Sequence, residues 1–338
     1  MPQSLCQHDA SPNGPSAMSL TPNELSQFQR QGFLLKPGLF SPEDLKPLQD
    51  ALTEIIDQGA RELQADGKLT NIHADQPFGL RLARIYADNP AAGEEITRKV
   101  MGKGGGGYNG PAMLQTIRHP ALLSCIESLV GPDIIGSSVY RIRPKLPGWD
   151  RGEVPWHQDS GYFLAHCDRH LIVTCWVPLV DATLENGCLH VIPTVHKTGI
   201  LRHYTDGHAG FLEVADEDLP SVEPVPVPMK AGDALLLTNL TPHASFENRT
   251  NVVRWSIDLR YQSAHVPNNV GEEPASYTTE RDPVTMACYP PEADFVIRDQ
   301  SDPAREIHSA DQFRQLRERY ETTRPSTPGR GWTPLQER

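Results

Sequence analysis

His157 and Asp159 are separated by one residue in the stretch Pro155-Trp156-His157-Gln158-Asp159-Ser160-Gly161-Tyr162-Phe163. In an extended chain alternate side chains share a face, so an imidazole and a carboxylate point the same way while Gln158 points elsewhere. That pair is two corners of a divalent-metal site. It is also what chance or a surface ion pair gives in a chain with 13 histidines and 43 acidic residues. His243, in Thr241-Pro242-His243-Ala244-Ser245, offers a third ligand just past a turn that follows an apolar run. Two neutral imidazoles and a carboxylate on one face suit Fe(II) and leave three positions open: two for a bidentate 2-oxo acid, one for dioxygen.

A second chemical feature follows His243. Through 252–261, Arg254, Ser256, Asp258 and Arg260 alternate with Trp255, Ile257 and Leu259. The polar set faces either solvent or the interior, and spacing alone leaves both orientations open. Facing inward, Arg254 would hold a carboxylate through two parallel hydrogen bonds, as the far end of a dicarboxylic 2-oxo acid requires.

The elements that must position these residues divide the chain into a helical part and a β part. Thr21-Pro22-Asn23-Glu24 reads as a capping box opening a helix to about Arg30, and Gly32-Phe33-Leu34-Leu35 as a brief strand. Ser41-Pro42-Glu43-Asp44 opens a second helix with Leu45, Leu48, Leu52, Ile55 and Ile56 on one face. His119-Pro120 begins another, stopped at Gly131-Pro132. From Ile134 the texture is β, with candidate strands at 134–143, 154–159, 171–178, 188–192, 233–238 and 252–261. Many short strands after helices predict a mainly β fold with flanking helices, a double-sheet jelly-roll barrel of cupin-like form.

The domain plan is a disordered tail over 1–20, one domain over 21–322, and a second tail over 323–338. Within the domain, 21–133 is helical, 134–265 the β core, and 266–322 an extension ending in a helix from Ser309. The acidic, proline-rich segment 205–230 is an irregular insertion expected to be a lid or a disordered segment. The glycine run 104–107 lacks the Lys-Ser/Thr of a phosphate loop and reads as a mobile connection.

Composition excludes several classes. A net charge of −12 argues against a nucleic-acid footprint, which needs a basic face, and against an anionic membrane surface. The longest apolar run, 171–180, is interrupted by Thr174 and Pro178 and is too short to span a bilayer; no signal sequence is expected. Six cysteines (Cys6, Cys125, Cys167, Cys175, Cys188, Cys288) without a Cys-x-x-Cys pair read as reduced thiols of a cytoplasmic protein.

Taken in order, His157-Gln158-Asp159, Asn186-Gly187-Cys188-Leu189, Ile192-Pro193, His196-Lys197 and His243-x-Ser245-x-x-Asn248 with Arg254 resemble the phytanoyl-CoA dioxygenase family. The resemblance runs from about Leu25 to Tyr261. It implies a double-stranded β-helix core and Fe(II)- and 2-oxoglutarate-dependent oxygenase activity. It also implies that His157, Asp159 and His243 bind iron, and that Arg254 holds the far carboxylate of 2-oxoglutarate. By the same resemblance Ser245, Trp176, Gln158 and, more loosely, Tyr140 fall at co-substrate contacts. Two departures stand out: Thr194-Val195 replaces the usual Gly-Ser before His196-Lys197, and Asn109-Gly110-Pro111 falls where some members have a lysine. Retention of Asp159 favours hydroxylation over halogenation, because related halogenases replace the carboxylate with a small residue.

The substrate is less legible. Arg141, Arg143 and Lys145 precede the motif and would either attract an anionic small molecule or line a solvated strand edge. His166, His170, Arg202 and His203 lie in loops where surface placement is the ordinary outcome. Two rivals to the oxygenase reading are a non-catalytic jelly-roll metal- or ligand-binding protein and a metal-dependent hydrolase or isomerase. The oligomeric state has no signature in the sequence.

Overall fold

The computed structural model describes residues 19–102, 107–137, 140–163, 165–266, 295–323 and 330–338. Cys6, Cys288, most of the 1–20 segment and most of the glycine run lie outside them. Seven α-helices are described: α1 Pro22–Gln31, α2 Pro42–Ala65, α3 Phe78–Asp88, α4 Pro90–Met101, α5 Pro111–Ile117, α6 Pro120–Val130 and α7 Ala310–Thr323. Both expected capping boxes form, Thr21 with Glu24 and Ser41 with Asp44, and each is followed by proline in the first turn. Helix α2 buries Leu45, Leu48, Leu52 and Ile56 along one stripe. Helices α3 and α5 escaped the sequence reading because Pro77 and Gly110 precede them without a side-chain cap.

The strands are β1 Phe33–Lys36, β2 Ile134–Gly136, β3 Arg141–Lys145, β4 Val154–His157, β5 Ile172–Pro178, β6 Leu189–Val191, β7 Val225–Val227, β8 Ala234–Thr238, β9 His243–Ser245, β10 Arg254–Ser263 and β11 Phe295–Arg298. They make two antiparallel sheets. One runs β1-β8-β5-β10-β2-β11 with β3 also on β10, and the other runs β4-β9-β6-β7.

The expected jelly-roll, double-stranded β-helix barrel is therefore corrected. Among the described residues neither sheet closes on itself and no strand pairing joins the two, so the fold is mixed α/β with two open sheets. Alternation reports which face of a strand is buried. It does not report whether an edge finds a partner, so it cannot separate a closed barrel from two stacked sheets.

The central strand β10 divides its side chains between two environments. Trp255, Ile257, Leu259 and Tyr261 join α2, α4, α6 and Phe313 in the main core. Its other face looks into the space between the sheets. A second cluster fills part of that space, with Trp176, Leu235 and Leu237 from the larger sheet against Leu189, Val191 and Val227 from the smaller. The remainder is the cavity described next.

Candidate metal centre

Strands β4 and β9 pair so that His157 lies directly opposite His243, with ring centroids 4.2 Å apart. Strand β4 ends at His157, Gln158 stays extended (φ −111°, ψ 141°), and Asp159 opens a 3-10 turn. The alternation through Gln158 brings the Asp159 carboxylate to the same side. One donor atom from each of His157, Asp159 and His243 falls within 4.8 Å of the other two, and all three residues are buried.

The donor chemistry fits a divalent ion. His157 Nδ1 lies 2.9 Å from the Pro155 carbonyl, and His243 Nδ1 3.0 Å from that of Thr241. Each Nδ1–H donates to the backbone two residues back, which leaves the Nε2 lone pair of each ring for a metal. Burial, then the neighbouring His243, holds the His157 imidazole well below the usual histidine range. For Asp159, burial acts upward, but Arg260 and the two histidines outweigh it and keep the carboxyl far below its ordinary value. A neutral His157 imidazole beside an ionised carboxylate is the protonation pattern that metal binding demands.

Asp159 is oriented from behind. Arg260 Nη2 donates to Oδ1 at 3.0 Å and Nε to Oδ2 at 3.3 Å, while the Thr174 hydroxyl donates to Oδ2. The sequence reading named Arg260 only as one of the polar set of 252–261 and gave neither it nor Thr174 a role at the metal site. The signal was there in the alternation, which puts Arg260 on the polar face of β10 and Thr174 two residues from Trp176 on β5.

Arg143, His157, Asp159, Thr174, Trp176, His243, Ser245, Arg254, Asp258 and Arg260 line one cavity between the sheets. The polar set of β10 thus faces inward. Arg254 is 2% exposed. Its Nη1 donates to Ser256 Oγ at 2.5 Å and Nη2 to Ser245 Oγ at 3.1 Å, and its guanidinium carbon stands 5.2 Å from the Trp176 ring centroid. Its Nε is buried without a partner, and among the described residues no carboxylate lies within ion-pair distance. Burial, then the charge of Arg143, brings its pKa down to about 10.

Two expected co-substrate contacts are placed elsewhere. Gln158 spends its amide on backbone: Nε2 donates to Gly199 and Leu240 carbonyls, and Oε1 accepts from Leu201 N–H. Alternation turns it away from the cavity. Tyr140 is buried in the main core, where its hydroxyl donates to the Tyr108 carbonyl and its ring stacks on Phe313.

Other polar residues noted in the sequence also find definite places. Arg143 pairs with Asp258 through Nε at 2.9 Å. Lys145 is buried and donates to the carbonyls of Ser245 (2.7 Å) and Phe246. His203, expected at the surface, is fully buried, and its Nε2 accepts the Gln158 backbone N–H at 2.9 Å. Segment 205–230 is not detached: Val214 N–H donates to the Trp156 carbonyl, and β7 extends the smaller sheet.

A facial triad of two histidines and one aspartate, opening on a cavity with a buried arginine that no carboxylate among the described residues pairs with, defines a non-haem Fe(II)- and 2-oxoglutarate-dependent dioxygenase. Comparison with known proteins gives the family. Residues 28–256 match the phytanoyl-CoA dioxygenase family, and the chain belongs to it. It is 27% identical over 256 residues to the phytanoyl-CoA dioxygenase of Arabidopsis thaliana, covering 71% of this chain and 88% of that one. To the peroxisomal phytanoyl-CoA dioxygenase of Rattus norvegicus it is 30% identical, with 70% and 67% covered. To a methylphosphonate hydroxylase of Gimesia maris it is 28% identical, with 72% and 82% covered. Among solved structures, the apo form of the non-heme monooxygenase ThoJ superposes with a TM-score of 0.51 at 17% identity, over 89% of this chain and 96% of that one. That likeness concerns the fold. No helix among the described residues is long and apolar enough to cross a membrane.

Proposed function

We propose that the protein hydroxylates an aliphatic C–H bond of a small, anionic molecule, consuming 2-oxoglutarate and dioxygen and releasing succinate and CO2. The observation that carries this reading is Arg254: a buried guanidinium, held by two serine hydroxyls, with no carboxylate partner among the described residues, in the cavity that contains the triad. An unpaired buried charge is costly, and a dicarboxylate co-substrate supplies the missing anion. A closed structural metal site would have no use for it.

In this reading His157, Asp159 and His243 hold iron, Arg254 and Ser245 hold the far carboxylate of 2-oxoglutarate, and Trp176 walls it. Fe(II), when bound with the co-substrate, supplies dioxygen activation and C–H hydroxylation. The chain's own groups orient, neutralise and exclude water. Arg143 supports an anionic substrate: it lines the cavity, its side chain is 26% exposed, and only its Nε is engaged by Asp258. One folding unit over 21–322 is supported by a core that joins α2, β10 and Phe313. Cys175 and Cys188 are buried free thiols, which supports a reducing compartment such as the cytoplasm.

Protein purified without oxygen and given Fe(II), ascorbate and 2-oxoglutarate should release succinate when air is admitted. His157→Ala and Asp159→Ala should abolish that release. Arg254→Ala should raise the KM for 2-oxoglutarate about a hundredfold, the usual scale for stripping one partner from a buried charged pair. An unchanged KM in Arg254→Ala would remove Arg254 from the co-substrate site.

A further inference from the structure

Residues 330–338 lie beyond the family match, and the sequence reading takes them as part of a tail. They pack instead against the turn that carries Asp159. Arg330 Nη1 donates to the Ser160 carbonyl at 2.7 Å and, at 2.9 Å, to Asp168 Oδ1, whose other oxygen receives Nη2 at 2.7 Å. Trp332 Nε1 donates to the Gly161 carbonyl at 2.8 Å. The Trp332 ring also covers His203, with centroids 5.4 Å apart.

His203 completes the enclosure. Its Nδ1 lies 2.9 Å from the Leu201 carbonyl, so Nδ1–H donates there and Nε2 is free to accept the Gln158 N–H. Its ring rests on Gly161 so closely that a Cβ at that position would lie 2.7 Å from it. The backbone on both sides of Asp159, from Gln158 to Gly161, is thus clamped between His203 and the C-terminal segment. That segment is anchored in turn. Thr205 N–H donates to the Thr333 carbonyl, Leu335 N–H to that of Thr205, and Arg338 pairs with Glu217.

We propose that Arg330 and Trp332 are positioning residues for the metal centre: the C-terminal segment is a strap that fixes the Asp159 turn in ligating geometry. The inference rests on His157, Asp159 and His243 holding the ion. Metal affinity responds to the groups that orient ligands, and losing such a group typically weakens binding 10- to 100-fold. The strap reaches the carboxylate through backbone, so its effect belongs at the lower end of that range.

Co(II), whose visible absorption reports ligand geometry, is titrated into the full metal-free chain under nitrogen, and the thermal midpoint of each metal-free variant is recorded alongside. Arg330→Ala and Trp332→Ala should each weaken Co(II) binding about tenfold and alter the absorption envelope. Arg330→Lys should recover most of the affinity. A purely structural strap would lower the midpoint and leave Co(II) affinity within about twofold of the parent chain; that result overturns the inference. Should alanine at either position prevent folding, Trp332→Phe, which keeps the ring and loses only the N–H, is read against the same twofold limit. His243→Ala separates the two levels. If it binds Co(II) like the parent, the triad assignment fails; if it loses Co(II) while the strap variants do not, only the strap fails.

Discussion

Lys145 shows how far the site's electrostatics extend beyond the groups that touch its ligands. It is 3% exposed and donates to the carbonyls of Ser245 and Phe246, at the end of the strand that carries His243 and one residue beyond it. Burial, and then the charge of Arg254, lowers its pKa from 10.5 to about 6. Between those two values the unfolded chain binds a proton that the folded chain does not, so this lysine makes stability rise with pH across that window. In Lys145→Met that contribution disappears, and the slope of unfolding free energy against pH should flatten by up to about 1.4 kcal/mol per pH unit. Urea unfolding at several pH values between 7 and 10 measures it; parallel curves for parent and variant would mean that the ammonium stays protonated when folded. At this scale the sequence was informative where side-chain type decides the chemistry. His157, Asp159, His243 and Arg254 could be picked out because imidazole, carboxylate and guanidinium have few buried uses. The roles of Thr174, Lys145 and His203 could not be read there, because they depend on which distant backbone or carboxylate meets them.

At the level of elements, what was legible was whatever is written locally. Capping boxes fixed the starts of α1 and α2, and the alternation in 252–261 named the two faces of β10 without saying which looked inward. Strand β9 is three residues long and β11 is reached through a segment without strand signals, so neither could be read from a periodic pattern. One local departure has a measurable cost. Thr194, standing where the family resemblance leads one to expect glycine, has φ 69°, in the left-handed region that β-branched residues resist. Its N–H donates to the Gln31 carbonyl, tying the turn before His196 to the end of α1, and the backbone there is held in place. Thr194→Gly should relieve roughly 1–2 kcal/mol of strain against a smaller entropic loss in the unfolded chain, a net gain of about 0.5–1 kcal/mol. A higher urea midpoint with unchanged slope would show it. A lower midpoint would mean that contacts of the threonine side chain outweigh the strain.

Across the whole molecule, the two sheets enclose three guanidinium groups and two carboxylates in one cavity, and the pairing is incomplete. Arg260 is matched by Asp159 and Arg143 by Asp258, which leaves Arg254 with serine hydroxyls and an unsatisfied Nε. No reading of the sequence could have assigned these pairs, since each joins elements far apart in the chain and depends on how the sheets stack. The imbalance sets stability against function. Without co-substrate the fold bears the cost of an uncompensated buried charge, so Arg254→Met should stabilise the ligand-free protein by about 1–3 kcal/mol. With metal and 2-oxoglutarate the gap should close or reverse. At a hundred times its dissociation constant a ligand adds about 2.7 kcal/mol to the parent, and Arg254→Met, unable to hold the far carboxylate, gains much less. Thermal unfolding of both proteins under nitrogen, each with and without Mn(II) and 2-oxoglutarate, gives the four midpoints needed. If ligand-free Arg254→Met unfolds at a lower temperature than the parent, the bonds from Arg254 to Ser245 and Ser256 are a structural brace, and its charge is not being held in reserve for an anion.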